Sequence, residues 1–321
     1  MLQKIVDLFT YGLLQMDSST RLGQSLNYFL YDSLKLLGLL FVLISIIGFI
    51  RSYIPTEKVR DWVGRKHKLV SHTGAALFGA ITPFCSCSSI PIFLSFIEAR
   101  IPLGVAFSFL ITSPILNEYL FVLMFGYFGL KITVLYAVSG ILIGIVSGLI
   151  LGKLGLEKHL EQDLLGQNKE ALPQEAYPDL RSRIKYGLNE GTDIVVKIWK
   201  WVILGVAVGA LIHNYVPEEV IRSIVGAGGI WSVPIATLIG VPMYGSCAAI
   251  VPIAIVLFEK GVPLGTALAF MMAVSALSLP EAVILRRAMD LKLIAIFFGI
   301  VSLGIIFTGY LFNFLSGFLL T

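Results

Sequence analysis

Apolar residues along this chain fall in long blocks, with neither the stripes of amphipathic helices nor the alternation of strands. Segments 36–50, 69–97, 103–130, 132–151, 194–212, 230–258, 262–285 and 293–320 are mostly apolar. A bilayer core of about 30 Å takes about 20 helical residues to cross. Segment 36–50 reaches that length only with flanks such as Ser33, Leu34, Lys35 and Arg51 to Ile54. In hydrocarbon each backbone polar group must be paired internally, which leaves helices or a closed barrel. The dyad alternation of a membrane barrel is missing. The pattern therefore predicts an all-α integral membrane protein with about eight transmembrane helices.

A mixed segment, residues 1–33, precedes the first block. It has neither the short apolar core nor the small-residue cleavage site of a secretory signal. Ile5, Leu8, Phe9 and Leu13 alternate with Lys4, Asp7 and Gln15. That pattern suits an amphipathic helix lying on the membrane surface, or equally one packed against the bundle.

The chain repeats itself. Pro55, Glu57, Arg60, Val63 and Gly64 recur as Pro217, Glu219, Arg222, Val225 and Gly226. The run 86-SCSSIP-91 meets 246-SCAAIVP-252 with one inserted residue, and 98-EARIPLG-104 meets 259-EKGVPLG-265. Lys35 and Lys197 also correspond. The expected division is an N-terminal segment 1–33, a first repeat 34–151, a polar linker 152–190 and a second repeat 191–321. Each repeat holds four apolar blocks, and an even number gives both halves the same orientation; an odd number would invert them.

The second block of each half is the weak point in that count. Both run to 29 residues and both are interrupted near the middle. Proline removes a backbone donor and clashes with the preceding turn, so helices break or kink at Pro83, Pro91, Pro242 and Pro252. A broken crossing and a re-entrant hairpin look alike in sequence, and the second would change the topology. Eight crossings place 13 basic residues on the side of the termini and linker and 11 opposite. The linker is assigned to the cytoplasm of a multi-pass protein of the inner cell membrane.

Composition agrees: 57% of the 321 residues are hydrophobic and only 14% are charged, against roughly a quarter in soluble domains. A net charge of +4 is too modest for a nucleic-acid partner. Three cysteines do not make a disulfide scaffold. No phosphate loop or nucleotide fingerprint stands in the chain, so neither ATP-driven pumping nor enzymatic activity is expected, and no cofactor is implied.

All three cysteines lie in the two interruptions: Cys85 and Cys87 in the first, Cys247 in the second, aligned by the repeat with Cys87. Equivalent breaks in two related halves tend to meet near mid-membrane, where transporters keep their substrate sites. Thiols there would be soft ligands for thiophilic species; Ser86, Ser88, Ser89 and Thr82 would satisfy freed backbone groups or line a path. The plainer alternative is that buried cysteine acts as a small hydrophobe.

Glu118, beside Asn117 and one turn after Pro114, is a carboxylate at membrane depth. Such a group is a functional candidate by default, with proton uptake its obvious role; a paired structural carboxylate is the other reading. Glu281 stands at nearly the corresponding place, but its closeness to Arg286 and Arg287 favours a paired, interfacial role. Glu98 and Glu259 read as helix-end charges.

The run GAITPFCSCSSIPIFLSFIEARIPLGVAFSFLITSPILNEYLFVLMFGYFGLKI resembles the ArsP-type permease family, and the likeness extends over essentially the whole chain. Characterised members of that family export trivalent organoarsenicals. The resemblance implies thiol ligands at Cys85 and Cys87 and a polar-acidic pair at Asn117 and Glu118. It makes the expected partner a thiophilic, organoarsenical-like small molecule within the lipid bilayer, with a homo-oligomer among the options. Two other readings remain: a permease for a soft metal ion or an organic anion, and a membrane thiol oxidoreductase using Cys85 and Cys87. The latter lacks an identifiable cofactor site, and a pair two residues apart closes a disulfide only with strain.

Overall fold

The computed structural model describes residues 2–17, 20–53, 67–82, 86–160, 179–215, 229–243, 247–259 and 261–319. Among them regular structure is helical, apart from one isolated bridge between Leu160 and Met289. Four helical segments are long and apolar enough to cross a membrane: Leu22–Ile46, Leu120–Lys153, Leu264–Leu285 and Leu291–Phe318.

The N-terminal segment is helical, α1 over Leu2–Asp7 running into a π-helical turn over Leu8–Leu13. Val6 and Thr10 are buried, whereas Ile5, Leu8 and Leu13 are 62%, 73% and 73% exposed. Asn27 of helix α2 (Arg21–Arg51) donates to the Asp7 carboxylate at 2.9 Å and accepts from Gln3 at 3.0 Å. Polar contacts thus tie the segment to the bundle and leave its apolar face outward, as a helix on a membrane surface requires.

The first half continues with α3 (Lys68–Ile81), α4 (Ser86–Glu98), α5 (Leu103–Ile115) and α6 (Glu118–Lys153). Gly129 divides α6 at φ 76°, a conformation that glycine adopts without a Cβ penalty. After the linker come α7 (Leu180–Tyr215), α8 (Ser232–Gly240), α9 (Cys247–Glu259), α10 (Leu264–Ala276), α11 (Leu279–Leu285) and α12 (Leu291–Leu319). The segments 55–64 and 217–226 that first reveal the repeat lie outside the described residues.

Elsewhere the repeat is visible in the contacts themselves. After α4, Arg100 takes a left-handed φ of 57°, with Ile101 N–H donating to Phe96 O and Arg100 N–H to Ile97 O. After α9, Gly261 has φ 88°, with Val262 N–H donating to Leu257 O and Gly261 N–H to Phe258 O. Both are Schellman caps followed by proline. In each half a glycine seam comes next. A Cβ on Gly104 would lie 2.5 Å from Gly148 O, and one on Gly265 would strike Gly309 O. A Cβ on Gly79 would lie 2.9 Å from Phe109 O, and one on Gly240 would lie 3.1 Å from Phe270 O. Close backbone approach through small residues is how helices associate where lipid removes the hydrophobic drive.

These contacts give the helix directions. Gly104 meets Gly148 and Gly152, Thr112 meets Gly144, and Ile115 meets Gly140, so α5 runs antiparallel to the second part of α6. Gly79 meets Phe109 and Ser113 while His72, at the other end of α3, reaches Gly152, so α3 runs parallel to α5. The short turn at 99–102 makes α4 antiparallel to α5. Hence α3 and α4 form a hairpin with limbs of 14 and 13 residues, about 20 Å each and too short to cross a 30 Å core. In the second half, Ser232 bonds Thr266 at 2.9 Å and Gly240 meets Phe270 and Ala273, so α8 parallels α10 in the same way.

The expected eight successive crossings in two like-oriented halves do not fit this arrangement. They would put residues 153–160 and 286–290 on opposite membrane faces. In fact His159 Nδ1 lies 2.6 Å from Asp290 Oδ2, and Asp290 N–H donates to His159 O at 3.0 Å. Repeat-equivalent helices also run antiparallel. Gly48 of α2 meets Gly187 of α7, and Arg183 donates to Ser52 O, so α7 begins where α2 ends. Gly304 of α12 meets Ile143 of α6, while the start of α12 meets the residues that follow α6. The physical reason is that each interrupted block forms two helices of 9 to 14 residues, too short to cross singly, in place of one long one.

Candidate functional site

Two interruptions come to one depth in each half. The tip of the first hairpin follows Thr82, whose hydroxyl donates to Phe78 O at 2.9 Å. The last turns of α3, at Gly79, lie level with Ser113, near the end of α5. Leu116 and Asn117 then separate α5 from α6, opposite Gly140 in the middle of α6's long second part. The second half repeats this with the hairpin between α8 and α9 and the break at Leu277 and Ser278.

Asn117 and Ser278 occupy the same place in the repeat. The carbonyl of Asn117 accepts from Phe121 N–H at 2.9 Å, and that of Ser278 accepts from Ala282 N–H at 2.9 Å. Both are N-caps, a role their side chains favour. Asn117 is half-buried at the break. Glu118 opens α6, and its side chain lies outside the described residues.

Cys85 likewise lies outside the described residues, as do the side chains of Ser86, Cys87, Ser88 and Cys247. Backbone positions are defined for Ser86, Cys87 and Ser88 in the first turn of α4 and for Cys247 at the head of α9. The expected alignment of Cys247 with Cys87 gives way here. Both helices are regular over 13 residues and end at Glu98 and Glu259. A continuous helix cannot absorb an inserted residue, so Cys247 takes the register of Ser86, one helical step from that of Cys87. Ser89, one turn further into α4, is fully buried.

Each thiol-bearing limb packs across the boundary between halves. Helix α4 packs against α11, and α9 packs against α6, where Phe128 and Phe258 meet edge-on at 5.7 Å. The helices that meet the other half's hairpin are thus the two that carry Glu118 and Glu281, α6 and α11.

Glu281 is where the sequence reading goes wrong. It is completely buried, and neither carboxyl oxygen has a hydrogen-bond partner. The expected pairing with Arg286 or Arg287 does not form; Arg286 donates to Met289 O at 3.2 Å instead. The signal was present as the capping-box pattern 278-SLPE-281. Only half of that box forms: Glu281 N–H donates to Ser278 Oγ at 3.2 Å while the carboxyl turns elsewhere. Glu259, by contrast, is an exposed helix-end charge as expected.

Comparison of the sequence with known proteins places the chain among permeases. A UPF0718 protein of Methanocaldococcus jannaschii is 24% identical, over 82% of this chain and 88% of its own length. The UPF0718 protein YcgR of Bacillus subtilis is 22% identical, over 61% of this chain and 66% of its own. A Streptococcus mutans protein, put forward by name as a subunit of a two-component membrane permease complex, is 26% identical over 61% of this chain. The match spans 65% of that relative's length. No solved structure is significantly similar to the chain. The family model described as "Predicted permease" matches residues 21–314, nearly the whole of the helical body. The chain is a membrane protein of transport and not an enzyme, and it belongs to the ArsP-type permease family.

Proposed function

We propose that the protein is a secondary-active permease that exports a thiophilic small molecule, with trivalent organoarsenicals as the substrate class. Cys85 and Cys87 are its metalloid ligands; Ser86, Ser88, Asn117 and Cys247 complete the site, and Glu118 carries a coupling proton. The observation that carries this reading is the confinement of every thiol to the interrupted segments of the two hairpins. An organoarsenic(III) centre has two exchangeable positions that two thiols fill, and two soft ligands permit the quick release that transport needs.

In this reading each half contributes three crossings and one re-entrant hairpin. The halves are inverted about an axis in the membrane plane, an arrangement shared by many transporters. The face that carries the linker holds Arg51, Lys68, Arg100, Lys153, Lys158, Arg181, Arg183, Lys185, Arg286, Arg287 and Lys292. The opposite face holds Lys4, Arg21 and Lys131 among the described residues. The excess of basic residues on that face supports a cytoplasmic linker in a protein of the inner cell membrane.

The test is accumulation of a mass-detected organoarsenical(III) in cells lacking their own exporters. Empty cells are compared with cells expressing wild type or the Cys85→Ser/Cys87→Ser double variant, with membrane expression checked in each. Lower accumulation that depends on both thiols is expected. Equal accumulation in empty and wild-type cells would overturn the substrate class and favour a soft metal ion or an organic anion. The relative put forward as a subunit of a two-component complex makes a partner polypeptide worth seeking by co-purification.

A further inference from the structure

Glu281 has no role in the site just proposed, yet it is the one fully buried carboxylate among the described residues. Its side chain is fully buried in α11, just past the break at Ser278, and both carboxyl oxygens are unpartnered. Its helix packs against α4, the thiol-bearing limb of the other half, and against α7. An ionised carboxylate without a partner is costly at this depth, so an acidic residue kept there points to a task that uses its titration.

No hydrogen bond among the described residues joins the Glu281 carboxyl to a group that would neutralise it. On α7 the charged and titratable positions are Arg181, Arg183, Lys185, Tyr186, Glu190, Asp193, Lys197, Lys200, His213 and Tyr215. Arg183 donates to Ser52 O and lies over the Tyr53 ring, and Glu190 accepts from Tyr186 at 2.9 Å. On α4 the titratable residues are Cys87 and Glu98, and beyond α11 stand Arg286 and Arg287. Helix α10 contributes none. A metal cation would need several oxygen or nitrogen ligands, and no cluster of three His, Cys, Asp or Glu occurs among the described residues. A proton needs only one carboxyl.

We propose that Glu281 is a coupling-proton site: it is a carboxylic acid in this conformation, and it releases and regains its proton as α11 moves relative to α4. The step is one proton bound or released at one carboxyl oxygen, with no covalent change. This rests on the secondary-permease reading, and its test is chosen to fail independently of the substrate.

The purified full-length protein is treated with dicyclohexylcarbodiimide, which adds to protonated carboxyls in apolar surroundings, and modified residues are located by mass spectrometry. Modification at Glu281 near neutral pH, slowing as pH rises, is expected, with Glu281→Asp still labelled and Glu281→Gln not. An unmodified Glu281 peptide, or a rate flat across pH, would overturn the proposal. Vesicles loaded with an organoarsenical(III) then give the coupling. Glu281→Gln, shown to be folded by size-exclusion chromatography, should lose the response of transport to an imposed pH gradient, and Glu281→Asp should recover part of it. An undiminished response in Glu281→Gln would also overturn it. Labelling of Glu281 without any organoarsenical transport by wild type would leave the proton site standing and overturn the substrate class.

Discussion

His159 and Asp290, 131 positions apart in sequence, are joined by a 2.6 Å contact between Nδ1 and Oδ2. The pair links the end of the first half to the start of the last helix. Leu293 N–H donates to the other Asp290 oxygen at 2.8 Å, and that bond, with help from His159, holds the Asp290 carboxyl below its ordinary range. A carboxyl depressed by folding stabilises the fold above its unfolded pKa, about 3.9. That contribution is lost as pH falls through the lower folded value. Asp290→Asn should therefore melt at a lower temperature than wild type in detergent at neutral pH. It should also show a smaller further loss on acidification below about pH 4. Parallel melting curves at every pH would show that the contact contributes nothing.

The same contact places Lys158 and Lys292 on one membrane face. With the native cysteines replaced by serine, single cysteines at these two exposed positions should react with an impermeant maleimide only after cells are permeabilised. A cysteine at exposed Glu259, across the membrane, should react in intact cells. Eight successive crossings would group Glu259 with Lys158 and separate Lys292 from both. Labelling in that pattern would refute the inverted arrangement.

The glycine seams set a stability prediction. Gly104→Ala drives a methyl to 2.5 Å from Gly148 O, and overpacking of this kind costs about 1–3 kcal/mol. Gly265→Ala meets Gly309 O and should behave alike. Gly126→Ala, with nothing within 4 Å of the added carbon, should lose no stability. Thermal melting of the three variants in one detergent checks the order.

Register gives the thiols unequal expectations. Cys247 stands one helical step from the place of Cys87, so Cys85→Ser or Cys87→Ser should weaken organoarsenical binding more than Cys247→Ser. Equal loss at all three would refute a two-thiol site. Asn117→Ser keeps a capping side chain; retained transport there would make Asn117 a cap only, and lost transport a substrate contact.

Much of this fold could be read from the chain. The apolar blocks, the repeat and the proline breaks all follow from residue pattern, and each EARIPLG or EKGVPLG motif became a Schellman cap. Topology did not follow, because a break that turns the chain back and one that merely kinks it have the same local composition. Only contacts between distant residues, such as Gly79 with Phe109 or His159 with Asp290, distinguish them. Glu281 was misjudged for a related reason. Sequence distance to Arg286 says little about where two side chains point once a helix has been capped and turned.

The two halves share a pattern without sharing a conformation. Helix α2 lies against α4, the hairpin limb of its own half, whereas its counterpart α7 lies against the short helix α11. In the inverted arrangement proposed above, this unequal packing supplies the two shapes that an alternating-access cycle would exchange between the halves. Exchanging the shapes would open the same site to the opposite side of the membrane and require no packing that one half or the other does not already display.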